Sequence, residues 1–401
     1  MTIAIIITIC ILLLLGYVFD FTSAKTKIPS VILLLFLGLV VRHLSQIMEI
    51  SIPNLSPVLP FLGTIGLILI VLEGSLELEL NKSKLPKIAK YSAIAFIPML
   101  VFSFGLAFAF QHFSDSTFKI CLSNAIPFSI ISSAIAIPSA RNLLNNEKEF
   151  VTYESSLSDI FGVLLFNFLT LNDNIGSQSI GYFALELIIM IGVSFVATLV
   201  LAYLLHKIKH HIKFAPIIIL ILLIYAVSKV YHLPALIFIL FFGLFIGNID
   251  ELRNYKFIRQ FHPINFSKEV LKFRELTTEM AFLIRTLFFL LFGYLIEITE
   301  IMNADTIIWA LLITAGIFLV RFLVLKMFKF PSSPVLLIAP RGLITILLFL
   351  SIPFEQTIQI ANKSLIIQVI ILTAFVMMIG LIRQNKSDTD PIKIDDSKEI
   401  I

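Results

Sequence analysis

The sequence of 401 residues has few charges and few cysteines. Only 14% of its residues are charged and 58% are hydrophobic, whereas soluble domains average about 25% and 45–50%. The two cysteines, Cys10 and Cys121, lie inside apolar runs, which excludes a disulfide scaffold and gives no metal-binding spacing. The net charge is only +4 and the basic residues are scattered, so nucleic acid is not an expected partner.

Long apolar runs recur through the chain, and each is about long enough to cross a bilayer as a helix. Such uninterrupted runs exclude a transmembrane barrel, whose strands alternate and are about ten residues long. The fold class predicted is an all-α polytopic membrane protein with about thirteen transmembrane helices. The predicted spans are 2–19, 28–46, 58–77, 91–113, 117–140, 150–172, 181–206, 214–229, 233–248, 277–298, 304–327, 333–353 and 363–383.

The distribution of basic residues predicts the orientation. The connections after odd-numbered spans, together with the C-terminal tail, hold 23 of the Lys and Arg residues, and those after even-numbered spans hold 4. Because positive loops stay in the cytoplasm, we expect the N-terminus outside and the C-terminus inside. The sequence predicts one transmembrane domain over 1–383 and a short cytoplasmic tail over 384–401, in an inner or plasma membrane.

One carboxylate lies near the middle of a predicted span. Asp159 is about ten residues into span six, and Ser155 lies on the same helix face one turn earlier. Ionisable groups at this depth are costly and are functional candidates. A carboxylate beside a hydroxyl can hold either a proton or a small cation. The alternative is a structural aspartate paired with an arginine.

Other ionisable residues in the spans suggest ion pairs. Glu154 is about 140° away from Asp159 around the helix, so it faces elsewhere. We interpret Glu154 and Arg341 as a structural or gating pair, with Arg285 as the cation near the site. Pairing of Glu154 with Arg285 fits the sequence as well. Glu73, near the end of span three, is a possible accessory residue that could also reach the cytoplasmic surface.

Two spans contain prolines at matching places. Span five contains PFSIISSAIAIP (127–138) and span twelve contains PVLLIAPRG (334–342). Proline breaks a helix and frees backbone carbonyls, which membranes tolerate only at a cavity or inside protein. Spans four to six and spans eleven to thirteen begin with the same spacing. Span eleven comes seven spans after span four, an odd number, so the two triplets have opposite orientations, which predicts inverted repeats with two broken, crossing helices.

These motifs resemble the monovalent cation:proton antiporter family, the sodium/proton exchangers. The segment ESSLSD (154–159) is similar to the E-S-x-x-N-D pattern of that family, with Ser158 in place of Asn. The segments IPS with LG (28–30, 37–38), LEG (72–74), IRTLFF with Gly293 (284–289) and RG (341–342) resemble further family motifs.

The resemblance implies a role for each candidate residue. Asp159 would bind the proton or the monovalent cation, with Ser155 and Ser158 beside it. Glu154 would pair with Arg341, and Arg285 would stabilise the core when Asp159 is empty. It further implies a core bundle (91–172 and 304–383), scaffold helices (2–77 and 181–298), a homodimer in the lipid bilayer, and no cofactor beyond the transported ions.

One departure from the family pattern concerns span five. Members with N-D carry T-D-P at the crossover, but this chain has SAIA (133–136) and lacks that acid. Ser132, Ser133 and freed carbonyls would have to supply ligands. With Asp159 as the single carboxylate, the expected exchange is electroneutral and one-for-one, with sodium favoured over potassium and lithium. Alternatives are a proton-coupled carrier of small organic anions that uses Arg285 and Arg341, or a non-transporting sensor. An enzyme is not expected, because the short outer loops hold no catalytic set.

Overall fold

The computed structural model describes residues 2–49, 54–78, 84–172, 176–207, 214–231, 233–248, 263–330 and 334–387. All regular secondary structure in these ranges is helical. Helices satisfy their own backbone hydrogen bonds, which is what a chain this apolar requires in lipid. Most of the predicted cytoplasmic tail, residues 388–401, lies outside the described residues.

The helices follow the apolar runs of the sequence. The first seven are α1 (Thr2–Thr26), α2 (Ser30–Ile47), α3 (Val58–Glu77), α4 (Leu85–His112), α5 (Phe118–Ser129), α6 (Ser133–Ser139) and α7 (Asn145–Leu171). The next four are α8 (Ser177–Lys207), α9 (Phe214–Val230), α10 (Leu236–Gly247) and α11 (Pro263–Leu295). The last four are α12 (Ile298–Ile301), α13 (Ala304–Met327), α14 (Leu343–Leu350) and α15 (Lys363–Ser387).

Every predicted span overlaps a described helix, but fewer than thirteen of these segments meet the length and composition needed to cross a membrane. Nine segments of the described chain are long and apolar enough to cross a membrane by length and composition. α9 and α10 are apolar but shorter, and neither α7 nor the broken segment that contains α14 is among the nine. The all-helical membrane fold is therefore confirmed, while thirteen crossings stay a prediction.

Both predicted breaks occur. The first separates α5 from α6 at residues 130–132, between Pro127 and Pro138 rather than at either proline. The second lies at 338–342, between a 3₁₀ turn (Val335–Leu337) and α14, and it includes Pro340. Each break leaves carbonyl and amide groups that need partners within the protein.

The contacts between helices form two groups. α2, α3, α8, α10 and α11 pack in one group, and α4, α5, α7, α13 and α15 pack in the other. Within the first group α2 and α11 meet at two glycines, because a Cβ on Gly38 would lie 2.8 Å from the Gly293 carbonyl carbon. Small residues allow such close crossings in membranes. The division into scaffold and core bundle that these groups suggest stays a prediction.

Candidate functional site

The two breaks contact each other in the interior of the protein. The Ser132 amide donates to the Pro340 carbonyl at 2.9 Å, which joins the first break to the second. All of residues 130–136 and 338–347 are buried. The sequence-based prediction that the broken segments meet is therefore confirmed.

Arg341 supplies the donors that the end of α5 needs. Its Nε lies 2.8 Å from the Phe128 carbonyl and its Nη2 lies 3.1 Å from the Ser129 carbonyl. Its Nη1 bonds the Ala339 carbonyl at 2.7 Å. A cation at the C-terminus of a half-helix satisfies free carbonyls and opposes the negative end of the helix dipole. Arg341 thus stabilises the crossover itself.

Asp159 lies at the other side of the first break. It is 1% exposed, and its Oδ2 accepts hydrogen bonds from the Ser133 hydroxyl and, at 3.3 Å, from the Ser133 amide. Ser133 is the first residue of α6, so the carboxylate lies at the positive end of a half-helix. Its Oδ1 accepts no hydrogen bond from any described residue. An oxygen of this kind, buried and unpaired, is suited to a proton or a cation.

The other predicted ligands surround this carboxylate in different ways. Ser158 accepts the Ile131 amide at 3.0 Å, so its hydroxyl fixes the break. Ser155 donates to the Val151 carbonyl at 2.7 Å and keeps its lone pairs. Ser132 is 1% exposed, and its hydroxyl bonds no described residue. At the crossover, one carboxylate oxygen and the Ser132 hydroxyl therefore have no hydrogen-bond partner within the part of the chain that the structure describes.

The predicted pairing of Glu154 with Arg341 is wrong. Glu154 pairs with Arg321 of α13, with Nη2 2.8 Å from Oε2 and a second bond between Nη1 and Oε1. The same guanidinium donates to the Val335 and Leu336 carbonyls at 2.9 Å. In the sequence Arg321 lies toward the end of its span, a position that suggests a place near the membrane surface, yet it is 2% exposed. Arg341 is already occupied by backbone carbonyls.

Arg285 also differs from its expected place. It is 4% exposed on α11, and the carboxylates whose charges act on it are Glu73 and Asp20. No arginine in the described ranges is bonded to Asp159. The alternative pairing of Arg285 with Glu154 is therefore wrong, because Glu154 bonds Arg321, and the role of Arg285 as a cation near Asp159 stays a prediction. Glu73 is 8% exposed, so it does not reach the surface.

A polar cavity of about 350 Å³ lies where α3 ends and α7 begins. Two ion pairs border it, Glu77 with Arg274 at 2.9 Å and Lys84 with Glu149 at 3.0 Å. The remaining lining residues are Leu78, Asn145, Lys148, Thr152 and Tyr153. Because α3 and α11 belong to one packing group and α4 and α7 to the other, the cavity lies between the two groups.

The chain matches a known protein family over nearly its whole length. The model of the family described as "Sodium/hydrogen exchanger, transmembrane" matches residues 9–383. The chain belongs to that family. The match confirms the resemblance found in the motifs, and it covers all of the described helices except the ends of the first and last.

Two solved structures of a sodium proton antiporter share the fold. One structure of the sodium proton antiporter MjNhaP1 from Methanocaldococcus jannaschii, at pH 8, superposes with a TM-score of 0.66 at 22% identity. It covers 96% of this chain and 97% of that chain. A second structure of the same antiporter, from electron microscopy, gives 0.69 at 20% identity, over 97% and 96% of the two chains. No curated protein matches the chain significantly.

Sequence reasoning missed one residue at the crossover of this exchanger. The Thr373 hydroxyl on α15 accepts the Arg341 amide at 3.0 Å, as Asp159 on α7 accepts the Ser133 amide in the first half. The spacing of the two repeats contained the necessary signal, because an offset of about 213 residues places Thr373 opposite Ile160, next to Asp159. A threonine is unremarkable in an apolar span, so only the repeat would have identified it.

Proposed function

We propose that this exchanger carries protons and sodium in opposite directions across the membrane, with Asp159 binding one of them at a time. The observation that supports the proposal most directly is the buried Asp159 carboxylate, with one oxygen held by Ser133 and the other bonded to none of the described residues. Family membership supports cation:proton antiport, and the similar fold of a sodium proton antiporter favours sodium.

Competition for a single carboxylate couples the two fluxes. A proton neutralises Asp159 and removes the charge that attracts the cation, so both cannot be bound together. Ser132, Ser155 and Ser158 are the proposed neutral oxygen ligands beside it. With no second acid at the crossover, the net charge moved per cycle is zero, and exchange is electroneutral and one-for-one.

The proposed cycle is alternating access. The group of α4, α5, α7, α13 and α15, with the two breaks, moves as a core against the helices that pack with α3 and α11. We further propose an inner or plasma membrane location with the N-terminus outside, which the distribution of basic residues supports. We also propose a homodimer, which the family resemblance supports.

The organic-anion alternative loses its expected site. It required Arg341 and Arg285 as anion ligands. The side chain of Arg341 donates to three backbone carbonyls. The charges of two carboxylates, Glu73 and Asp20, act on Arg285. An anion at Arg341 would have to displace those carbonyls, and an anion at Arg285 would be repelled by the two carboxylates.

Reconstituted vesicles provide the test. The vesicles contain a pH-sensitive dye and an imposed pH gradient, and sodium, lithium or potassium chloride is added in turn. We expect sodium to dissipate the gradient for the natural protein. We expect the same for the control variant Glu186→Gln, which replaces a carboxylate of α8 outside the crossover. We expect no response for Asp159→Ala, or for Asp159→Asn, which keeps the size but not the charge. Exchange that persists in folded Asp159→Ala would overturn the proposal.

A further inference from the structure

The Thr373 hydroxyl joins α15 to the backbone of the second break. Thr373 is fully buried, and its Oγ1 donates to the Val369 carbonyl of its own helix at 2.8 Å. The same oxygen accepts the Arg341 amide at 3.0 Å. Arg341 lies in the break, two residues before α14 begins, so no helix supplies an acceptor for its amide. Because a buried amide without an acceptor costs free energy, the hydroxyl of α15 stabilises this part of the break.

A single peptide group connects Thr373 to the first break. The Arg341 amide and the Pro340 carbonyl belong to the same peptide bond, which is planar and rigid. Its amide donates to Thr373, and its carbonyl accepts the Ser132 amide at 2.9 Å. Thr373 and Ser132 therefore hold opposite sides of one rigid unit. If this unit moves away from Thr373, the acceptor of the Ser132 amide moves with it.

The first break in turn holds the Asp159 carboxylate. Ser133, the residue after Ser132, donates its hydroxyl and, at 3.3 Å, its amide to the Asp159 Oδ2. Gly342 adds a second contact between the breaks, because a Cβ built there would lie 3.0 Å from the Ser132 Oγ. The position of the second break therefore determines where both serines lie relative to the carboxylate.

Thr373 and Asp159 occupy corresponding places in the two repeats, to within one residue, but their chemistry differs. Each accepts a backbone amide at the break of its own repeat. Asp159 is a carboxylate with one oxygen that bonds no described residue, whereas the neutral Thr373 hydroxyl both donates and accepts within the protein. Asp159 is therefore suited to bind an ion, and Thr373 is suited to hold the backbone.

We propose that Thr373 is a positioning residue for cation binding, which acts on Asp159 through the peptide group that it holds at the second break. The inference rests on the proposed function, because it concerns the affinity of the same site. A site binds its ion tightly when neighbouring residues hold the ligands in the required geometry. Without the Thr373 hydroxyl the second break can shift, the serines of the first break shift with it, and the oxygens around Asp159 lose that geometry.

Transport by variants of Thr373 provides the first test. Thr373→Val keeps the shape of the side chain but removes the acceptor of a buried amide, so we expect the KM for sodium to rise about fivefold. Thr373→Ser returns the hydroxyl and should restore the KM. The matched control is Thr277→Val. Thr277 is equally buried and donates to the Phe273 carbonyl at 2.8 Å, but its hydroxyl accepts from none of the described residues.

A second measurement determines the affinity of the site without exchange. A hydrophobic carbodiimide reacts with buried protonated carboxyls, and mass spectrometry measures the label on Asp159 in detergent-solubilised protein. Sodium bound at Asp159 slows the labelling, so the sodium concentration that halves the rate reports affinity. We expect this concentration to rise about fivefold for Thr373→Val and to stay unchanged for Thr373→Ser and Thr277→Val. Asp159→Asn verifies the position of the label.

A purely structural role for Thr373 gives a different result. If Thr373→Val lowers the unfolding temperature but leaves both the KM and the protecting sodium concentration unchanged, the inference is wrong. It is also wrong if Thr373→Ser fails to restore them. Should Thr373→Val not fold, Thr373→Ala removes the same acceptor with less bulk, and Thr277→Ala becomes its control.

The labelling also separates this inference from the proposed antiport. If sodium protects Asp159 with the expected dependence on Thr373 while the natural protein exchanges no cation, the positioning role stands and the antiport fails. If sodium, lithium and potassium all fail to protect Asp159 in the natural protein, the cation site is wrong and the inference fails with it.

Discussion

Arg321 on α13 and Glu154 on α7 form a two-bonded ion pair in the interior, with both side chains at most 3% exposed. The guanidinium also holds two carbonyls of the 3₁₀ turn that precedes the second break. Glu154 is five residues from Asp159 in the same helix. The pair therefore connects α7 and α13 to the broken segment, and it fixes the part of α7 from which Asp159 extends.

Removing one member of this pair should destabilise the fold. Glu154→Gln leaves the Arg321 charge buried without its counter-charge, which costs about 3–5 kcal/mol in comparable cases. We expect the free energy of unfolding in detergent to fall by that amount. Glu297→Gln is the control, because its partner Arg42 is partly exposed and such surface pairs contribute about 0–1 kcal/mol.

A double-variant cycle identifies the partner. Glu154→Gln combined with Arg321→Gln should cost less than the sum of the two single changes, because the second change removes the unpaired charge. Glu154→Gln combined with Arg341→Gln should depart less from additivity, because these two charges interact without a hydrogen bond between them. If the combination with Arg341→Gln instead shows the larger departure from additivity, Glu154 is paired with Arg341 in the membrane.

The sequence was sufficient to place Asp159 in the interior but not to identify the partners of the arginines. A carboxylate in the middle of an apolar run is costly wherever the helix packs, so its depth alone marks it. Which arginine reaches Glu154 depends instead on how α13 lies against α7, and this is a matter of packing between segments 167 residues apart. The distance of Arg321 from the end of its span gave no information about that packing.

The two helix breaks show the same difference between what the sequence predicts and what packing between segments determines. The prolines predicted where the helices are interrupted, to within a few residues, because a proline removes a donor wherever it occurs. They did not predict that Arg341 would cap the carbonyls of α5, or that the Ser133 amide would meet Asp159. Those contacts require the two broken segments to cross, and the crossing is a property of the folded chain.

Arg341→Lys tests the capping role of the guanidinium. Lysine keeps the charge, but its single ammonium group cannot reproduce a planar fork that reaches three carbonyls. We expect lower thermal stability than for the natural protein and at least a tenfold loss of sodium-driven exchange. Arg383→Lys, at the exposed end of α15, is a matched control that should change neither. Full activity of Arg341→Lys would show that charge alone is enough.

Ser132→Ala tests whether an unpaired hydroxyl at the crossover is a ligand. Its Oγ bonds no described residue, so removing it should leave the unfolding temperature within a few degrees. If it binds the cation, losing one neutral contact worth about 1 kcal/mol raises the KM for sodium about fivefold. The control is Ser129→Ala, whose hydroxyl bonds the Ile126 carbonyl and should leave the KM unchanged. Equal KM values for the two variants would remove Ser132 from the ligand set.

The number of carboxylates determines whether membrane potential drives exchange. In the proposed mechanism one cation replaces one proton at Asp159 and no net charge moves, so we expect that an imposed potential does not change sodium uptake in vesicles without a pH gradient. Ser158→Asp adds an adjacent acid, and an aspartate there can still accept the Ile131 amide that Ser158 now accepts. We expect this variant to acquire potential-driven uptake. Uptake driven by potential in the natural protein would contradict the one-for-one stoichiometry and require a second charged ligand at the crossover.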